Sequence, residues 1–166
     1  MQGRVENLLG AIAIAVGDEI REAVEGAAGH GSGGPAALSS LVDRPGQSIE
    51  SLRRTLSLSH SATVRLVDRL EDDGLVMRRP AVDGREVGLV LTARGRRRAM
   101  RVHQQRRAVL SRAVAGLSTQ ERRELEATLE RLVRTQAVVH DDPRPICRLC
   151  EMNVCPLRSC PNPAAR

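Results

Sequence analysis

Apolar residues recur at three- and four-residue steps through residues 1–30. A helix of 3.6 residues per turn places such positions on one face, so the pattern predicts an amphipathic helix over residues 4–28. The glycine-rich run Gly-His-Gly-Ser-Gly-Gly then predicts a break at 29–34, and Pro35 suits the first turn of a short helix that reaches Val42. The apolar positions of the long helix are Val5, Leu8, Leu9, Ile12, Val16, Ile20 and Val24.

Two further short helices are predicted, each started by a serine whose hydroxyl can accept a backbone hydrogen bond. Ser48 caps the first, and either Ser57 or Ser59 caps the second. Gly74 ends the second helix. The predicted inward positions are Ile49, Leu52 and Leu56 in the first helix, and Ala62, Leu66, Val67 and Leu70 in the second.

After this second helix the apolar pattern changes to one typical of strands. Residues 75–79 and 87–91 are rich in β-branched and long aliphatic side chains, with Pro80 and the polar run Asp83-Gly84-Arg85 between them. This predicts a β-hairpin with a turn between its arms.

Two long helices are predicted after the hairpin. The first begins at Thr92 and runs to about Gly116, and the second begins with a capping box formed by Ser118 and Glu121. The second carries an apolar stripe, and the chain then ends in a segment rich in proline and cysteine. The stripe consists of Leu125, Leu129, Leu132 and Val133.

The order short helix, turn, helix, hairpin, long helix is that of a winged helix-turn-helix. The predicted fold class is therefore mainly α, with a small β-hairpin as the wing. The apolar faces of the first and last helices exceed what one small domain can cover, so a dimer is predicted. The predicted division is a dimerisation helix at 1–30, a DNA-binding domain at 35–101, dimerisation helices at 102–140 and a cysteine tail at 145–162.

Positive charge is concentrated in the predicted helix-turn-helix and beyond it. Residues 1–30 hold 2 Arg against 5 acidic residues, whereas residues 53–101 hold 12 Arg against 6. All 26 basic residues are Arg, which binds phosphate or guanine in bidentate fashion. A polyanion is the partner that such a distribution favours, with an anionic membrane surface as the weaker alternative.

The side chains predicted to read double-stranded DNA lie at the start of the second short helix and on the wing. A helix enters the major groove when its leading exposed side chains are short or polar. A guanidinium at the wing tip can enter a narrow minor groove, and arginines at the wing base face phosphates. The predicted contacts are Ser59, His60, Ser61, Val64 and Arg65 on the helix, Arg78 and Arg79 at the wing base, and Asp83 and Arg85 at its tip.

Residues 35–101 resemble the MarR family of bacterial regulators. The likeness is carried by LSHSATVRLVDRLEDDGLV at 58–76, RRP at 78–80, DGR at 83–85 and LVLTARG at 89–95. With its flanking helices it covers roughly residues 4–138.

This resemblance implies a homodimer in which the first and last helices form the interface. It also implies recognition by the helix at 59–65 and by the Asp-x-Arg of the wing. Two departures matter. His60 and Ser61 stand where the family often has Gln and Pro, and the chain has no aromatic residue to stack on an aromatic effector. Whether a small-molecule effector binds therefore stays open.

Four cysteines, Cys147, Cys150, Cys155 and Cys160, fall within the tail, and thiolates at this density suit a metal. Zn²⁺ is the first interpretation, with the prolines stiffening the loop. An iron–sulfur cluster is the rival, because Cys-Pro pairs occur at cluster ligands. Free or disulfide-switching thiols are the third interpretation. Bound metal would either staple the tail or report metal or redox state to the DNA-binding domain.

The sequence favours a sequence-specific transcriptional repressor that binds a pseudo-palindromic operator. The alternative is a helical dimerisation or protein-interaction module with a metal staple and no DNA target. The four histidines are scattered and no nucleophile–base pair is present, so no enzyme is predicted. No apolar run has the length of a membrane span and no signal peptide is recognisable, so a cytoplasmic protein without membrane contact is expected.

Overall fold

The computed structural model describes residues 3–31, 33–80, 87–155 and 159–163. Within these ranges the chain forms six α-helices, one antiparallel strand pair and a short 3-10 helix, Arg144–Cys147. This is the mainly helical architecture with a hairpin wing that the sequence predicts. The elements are α1 (Arg4–Ala28), α2 (Gly34–Asp43), α3 (Ile49–Leu56), α4 (His60–Asp72), β1 (Val76–Pro80), β2 (Val87–Leu91), α5 (Ala93–Ala113) and α6 (Thr119–Val139).

The core is aliphatic throughout, because the chain contains no Phe, Tyr or Trp. Helix α5 lies against α1 and α2, and α3 and α4 pack on each other. Burial of this aliphatic surface is the main favourable contribution to folding, and it joins all helices except α6 into one domain. The largest fully buried aliphatic side chains are Leu38, Leu41, Leu52, Leu66, Leu70, Leu75, Leu89, Val67, Val76 and Val102.

The wing begins one residue later than predicted and includes a proline that the sequence analysis placed in the turn. Pro80 is the last residue of β1 and lies opposite Val87. A proline has no N–H to donate, and the end of a strand tolerates that loss. On its other edge β2 meets the loop before α3: the Gly46 N–H donates to the Leu89 carbonyl over 2.8 Å, and the Leu89 N–H donates to the Gln47 carbonyl over 3.0 Å.

A tight joint connects the end of α4 to the start of α5. The Thr92 hydroxyl donates to the Gly74 carbonyl over 2.7 Å and accepts from the Gly95 N–H over 2.9 Å. The Thr92 N–H donates to the Leu75 carbonyl over 3.0 Å. A Cβ at Gly95 would lie 1.9 Å from that carbonyl oxygen. Only a residue without a side chain allows this approach, which fixes α4 relative to α5.

Two helices have apolar faces that the described residues leave exposed. In α1 the first half is exposed, whereas Val24 and Ala28 enter the core. In α6 only Ala137 is buried. None of the helices that the described residues form is both long enough and apolar enough to cross a membrane. The exposed apolar side chains are Val5, Leu8, Leu9, Ile12 and Ile14 in α1, and Leu129, Leu132, Val138 and Val139 in α6.

Replacing Gly95 with alanine should lower the free energy of unfolding by about 1–3 kcal/mol, the usual cost of forcing extra volume into a packed site. The added methyl group would have to displace the Leu75 carbonyl, so α5 would shift away from the end of α4. Urea unfolding of the purified protein measures this difference.

Gly26→Ala is the matched control, because Gly26 lies in α1 and a methyl group added to it would meet no atom within 4 Å. Alanine is more favourable than glycine inside a helix by up to about 1 kcal/mol, so this variant should be as stable as the wild type or more stable. Equal destabilisation by both substitutions would contradict the close approach at Gly95.

Candidate nucleic-acid interface and thiol cluster

The turn between α3 and α4 has the geometry of a helix-turn-helix. Helix α3 ends at Leu56, and Ser57 takes the left-handed conformation with φ 54°. The Leu58 N–H donates to the Arg53 carbonyl over 3.2 Å, which closes the end of α3. Of the two serines considered as the cap of α4, Ser59 fills the role and Ser57 does not.

Helix α4 has one buried face and one exposed face. Leu66, Val67 and Leu70 are buried as predicted, and Thr63 is fully buried as well, whereas Ala62 is only half-buried. The prediction that Ala62 faces inward was therefore wrong, because the buried residue is Thr63, one position later. Thr63 fits inside because its hydroxyl donates to the Ser59 carbonyl over 3.0 Å, which satisfies its polar atom.

The opposite face of α4 carries the side chains predicted to meet DNA bases. Ser59, His60, Ser61 and Arg65 are exposed, and Val64 is half-buried beside them. The hydroxyl of Ser59 accepts from the Ala62 N–H over 3.2 Å and lies 3.3 Å from the Ser61 hydroxyl. Ser59 therefore starts the helix as well as lying on its exposed face. The amino end of α4 is also its positive dipole end, which favours phosphate.

Arg78 joins the base of the wing to α4. Its guanidinium binds the Glu71 carboxylate and lies 2.6 Å from the Asp68 carboxylate. The hydrogen bond to Asp68 raises the pKa of Arg78 above its ordinary value, with the neighbouring Glu71 charge adding to the effect. The predicted phosphate contact of Arg78 thus competes with two carboxylates, and the structure places this side chain as a brace between β1 and α4.

The other residues predicted on the wing are Arg79, Asp83 and Arg85. Arg79 is exposed, with its Nε 3.3 Å from the Met77 sulfur. Asp83 and Arg85, predicted at the wing tip, lie outside the described residues.

An exposed ion-pair cluster on α3 was not predicted: Arg53 and Arg54 both donate to Glu50 and lower the pKa of its carboxyl group to about 2.

The four cysteine side chains of the tail lie next to one another in a ring. Cys147 and Cys155 each lie close enough to Cys150 and Cys160 for their pKa values to respond to both of these thiols. All four line one cavity of about 30 Å³. The cavity is completed by residues from α2, α3 and the tail, namely Ser40, Asp43, Arg44, Thr55, Arg144, Arg148 and Met152.

Contacts within the ring give the thiols different acidities. The hydrogen bond with Cys150 raises the pKa of Cys147 above its ordinary value, and burial adds to the rise. The same hydrogen bond lowers the pKa of Cys150. Burial, and then the neighbouring Cys160, raise the pKa of Cys155. Cys150 is therefore more acidic than either neighbour in the ring.

Thiols that lie together are not yet a coordination shell. Across residues 3–31, 33–80, 87–155 and 159–163, no group of three or more His, Cys, Asp or Glu side chains is arranged to hold a metal ion. The spacing of the cysteines in the sequence thus predicts their proximity. The assembled metal site stays a prediction, and its formation would require the thiols to turn toward a common centre.

Buried polar contacts fix the tail to α2 and α5. Glu151 is 5% exposed, and its carboxylate lies 2.6 Å from the guanidinium of Arg107 in α5. In α2, burial raises the pKa of the Asp43 carboxyl group, while His103 and the backbone N–H of Met152 act to lower it. The fully buried Asn162 amide donates to the Pro143 carbonyl over 2.8 Å and to the Cys147 sulfur over 3.4 Å. The sequence analysis missed these residues because their contacts are distant along the chain.

His103 lies beneath the tail and was set aside in the sequence as one of several scattered histidines. Its Nε2 is 2.7 Å from the Ser39 hydroxyl, so α5 and α2 share a buried hydrogen bond. Burial lowers the pKa of His103, although the carboxylates of Glu151 and Asp43 act in the opposite direction. This imidazole is a packing and hydrogen-bonding residue of the domain.

Comparison with known sequences identifies relatives of this chain. A family model described as "MarR family" matches residues 36–87. The HTH-type transcriptional repressor Rv2887 of Mycobacterium tuberculosis is 38% identical over 96 residues, which are 57% of this chain and 69% of the relative. The repressor Mb2911 of Mycobacterium bovis matches with the same identity and coverage.

Solved structures show the same fold. A MarR family protein from Bacillus stearothermophilus superposes with a TM-score of 0.71 at 26% identity, covering 80% of this chain and 92% of that one. The Mycobacterium tuberculosis protein Rv2887 in complex with DNA gives a TM-score of 0.59 at 33% identity. That match covers 75% of this chain and 96% of the relative.

Ser59→Ala should lower the free energy of unfolding by about 1 kcal/mol, because the Ala62 N–H would lose its capping oxygen. The measurement is urea unfolding followed by circular dichroism. A capping role implies that any effect of this variant on DNA binding must be corrected for the loss of helix stability.

Ser61→Ala is the control, since Ser61 is exposed in the first turn of α4 and caps no backbone group. Its free energy of unfolding should stay within about 0.5 kcal/mol of the wild type. If Ser61→Ala destabilised the protein as much as Ser59→Ala, the assignment of Ser59 as the cap would be wrong.

Proposed function

The chain belongs to the MarR family, and we propose that it is a homodimeric transcriptional repressor that recognises a specific DNA sequence with α4. The observation that carries this proposal is the two-faced packing of α4. Its aliphatic face is buried in the core, and its short polar side chains and Arg65 face outward at the leading end.

The chemistry of this exposed face suits the major groove. Serine and histidine can donate to or accept from base edges, and a guanidinium can bind the O6 and N7 atoms of guanine in bidentate fashion. Short side chains at Ser59 and Ser61 let the helix backbone approach the groove floor. The relative Rv2887, solved in complex with DNA, supports this use of the fold.

The exposed apolar faces of α1 and α6 support the homodimer. Leu8, Leu9 and Ile12 of α1 are each about half exposed, at 52%, 46% and 51%. Burying such a row against a second copy removes apolar surface from water. A two-fold dimer places its two recognition helices about 34–36 Å apart, one turn of DNA, and so reads a pseudo-palindromic operator.

The cysteine tail is proposed to modulate DNA binding in response to metal or redox state. The 3-10 helix of the tail packs on α3, and the thiol cavity is bounded by Thr55 of α3 and by Asp43 and Arg44 at the end of α2. Helix α3 leads directly into α4. A change in the tail can therefore alter the position of the recognition helix.

Arg65→Ala should reduce discrimination between the preferred duplex and a duplex with one altered base pair by about 1–3 kcal/mol, since a bidentate base contact is lost. The preferred duplex is first selected from genomic fragments with the wild-type protein. Fluorescence anisotropy then measures the affinity of each variant for both duplexes at one salt concentration.

Arg123→Ala removes the same charge from a side chain of α6 that is exposed in the single chain and far along the sequence from α4. It controls for net charge once gel filtration shows that the variant has the same oligomeric state as the wild type. It should leave discrimination unchanged. A wild-type discrimination ratio for Arg65→Ala would remove Arg65 from base recognition. Failure of the wild-type protein to retain any duplex would favour the protein-interaction module instead.

Stripping metal from the tail should weaken binding to the selected duplex by roughly tenfold, the size of a typical coupling between two sites. Anisotropy titrations compare the protein as purified under reducing conditions, the protein after chelation and dialysis, and the same protein after metal is restored. Equal affinity in all three states would contradict modulation through the tail.

A further inference from the structure

The thiol ring offers four soft ligands around a space of limited size. The cavity of about 30 Å³ is a few times the minimum of ~10–15 Å³ that a water molecule requires. A single metal ion fits such a space. The same four cysteines also line an adjoining open cleft of about 920 Å³, so a single ion and an iron–sulfur cluster are distinguished by elemental analysis rather than by volume. Among metals that favour thiolates, zinc accepts four sulfur ligands in tetrahedral geometry.

The charge around the ring also suits zinc. Four thiolates around one Zn²⁺ carry a net charge of about −2. Arg44, Arg144 and Arg148 line the same cavity and bring positive charge to it, and Arg144 is also paired with the Asp142 carboxylate. Asp43 lines the cavity as well, and its carboxylate offsets part of the positive charge of the arginines.

We infer that Cys147, Cys150, Cys155 and Cys160 bind one zinc ion that fastens the tail to α2, α3 and α5. Each thiol loses its proton to solvent when its sulfur binds the ion, so zinc binding releases up to about four protons and needs no oxidant or reductant. The zinc site itself is independent of the proposed function. Only its effect on DNA binding rests on the proposed regulatory role of the tail.

Contacts that do not involve the cysteines hold the tail against the helices beside the proposed zinc site. Glu151 directly follows Cys150 and is held by Arg107 of α5, and the backbone of the next residue, Met152, lies near Asp43 of α2. Leu149 packs against the aliphatic core. The loop between two of the ligands is thereby held against the domain, and zinc would close the ring above it.

The amide of Asn162 supports the same arrangement from the other end of the tail. It is fully buried and donates to both the Pro143 carbonyl and the Cys147 sulfur. A ligand sulfur commonly accepts a hydrogen bond from a neighbouring group that orients it. Asn162 is therefore a positioning residue for Cys147 and also joins the two ends of the tail.

The test begins with the full chain purified anaerobically under reducing conditions. Elemental analysis should find about one zinc ion per chain, and the chelated protein should take up zinc chloride to the same ratio in competition with a zinc indicator. Cobalt added in place of zinc should give the visible absorption of a tetrahedral thiolate site. Stoichiometric iron with sulfide, or no tightly held metal, would overturn the inference.

Two variants localise the site. Cys155→Ser should lower the affinity for zinc by at least ~100-fold, more than the loss of an outer-shell contact. Asn153→Ala, an exposed substitution between Cys150 and Cys155, should leave zinc affinity unchanged. Wild-type affinity in Cys155→Ser would contradict tetrathiolate coordination, and the wild-type titration stands as evidence even if that variant folds poorly.

Hydrogen exchange of the tail amides tests the fastening. Zinc should slow exchange across residues 144–155 by at least ~10-fold, because local opening would then require release of the ion. Arg107→Ala should restore part of the exchange without changing the zinc ratio. Identical exchange with and without zinc would show that the ion does not hold the tail.

Zinc content and amide exchange are measured without DNA. A chain that binds zinc and orders its tail, yet binds no duplex, would overturn the proposed function and leave the zinc site in place. A chain that binds its operator without retaining zinc would overturn the zinc site and leave the proposed DNA binding in place.

Discussion

Burial of one face of α4 is the constraint on which the rest of the molecule depends. Leu66, Val67 and Leu70 are fully buried, and the core that they enter is built only from aliphatic side chains. Because these residues face inward, the side chains half a turn away must face outward. The Thr63 hydroxyl, bonded to the backbone of the same helix, lets the buried face continue to the first turn without an unsatisfied polar atom.

The neighbouring elements hold this orientation from several sides. Arg78 ties the wing to Asp68 and Glu71 of α4, and the joint between Thr92, Gly95 and Leu75 ties the end of α4 to α5. Helix α5 in turn packs along α1. Helix α4 is therefore joined to α5, and through α5 to α1, by packed contacts rather than by a flexible linker.

The tail brings a second set of contacts to the same framework. Its buried Glu151 reaches α5, and the thiol cavity is bounded by α2 and α3. The family model ends at residue 87, so the tail is outside the matched segment. A winged helix-turn-helix is thus combined here with a cysteine-bearing segment that touches three of its helices.

The sequence by itself determined the elements and their order. Hydrophobic periodicity, the serine caps at Ser48 and Ser118, and the change of period after Gly74 are local signals, and each corresponds to an observed element. For α4 the sequence left Ser57 and Ser59 open, and the structure selects Ser59. The exposed position of Arg65 and the clustering of the cysteines also follow from short spacings.

Tertiary structure alone decided the contacts between distant residues: Arg78 with Asp68 and Glu71, Glu151 with Arg107, and His103 with Ser39. Periodicity specifies which face of an element is apolar. It does not specify which charged side chain on another element will lie within hydrogen-bond distance, because that depends on how the packed helices bring remote segments together.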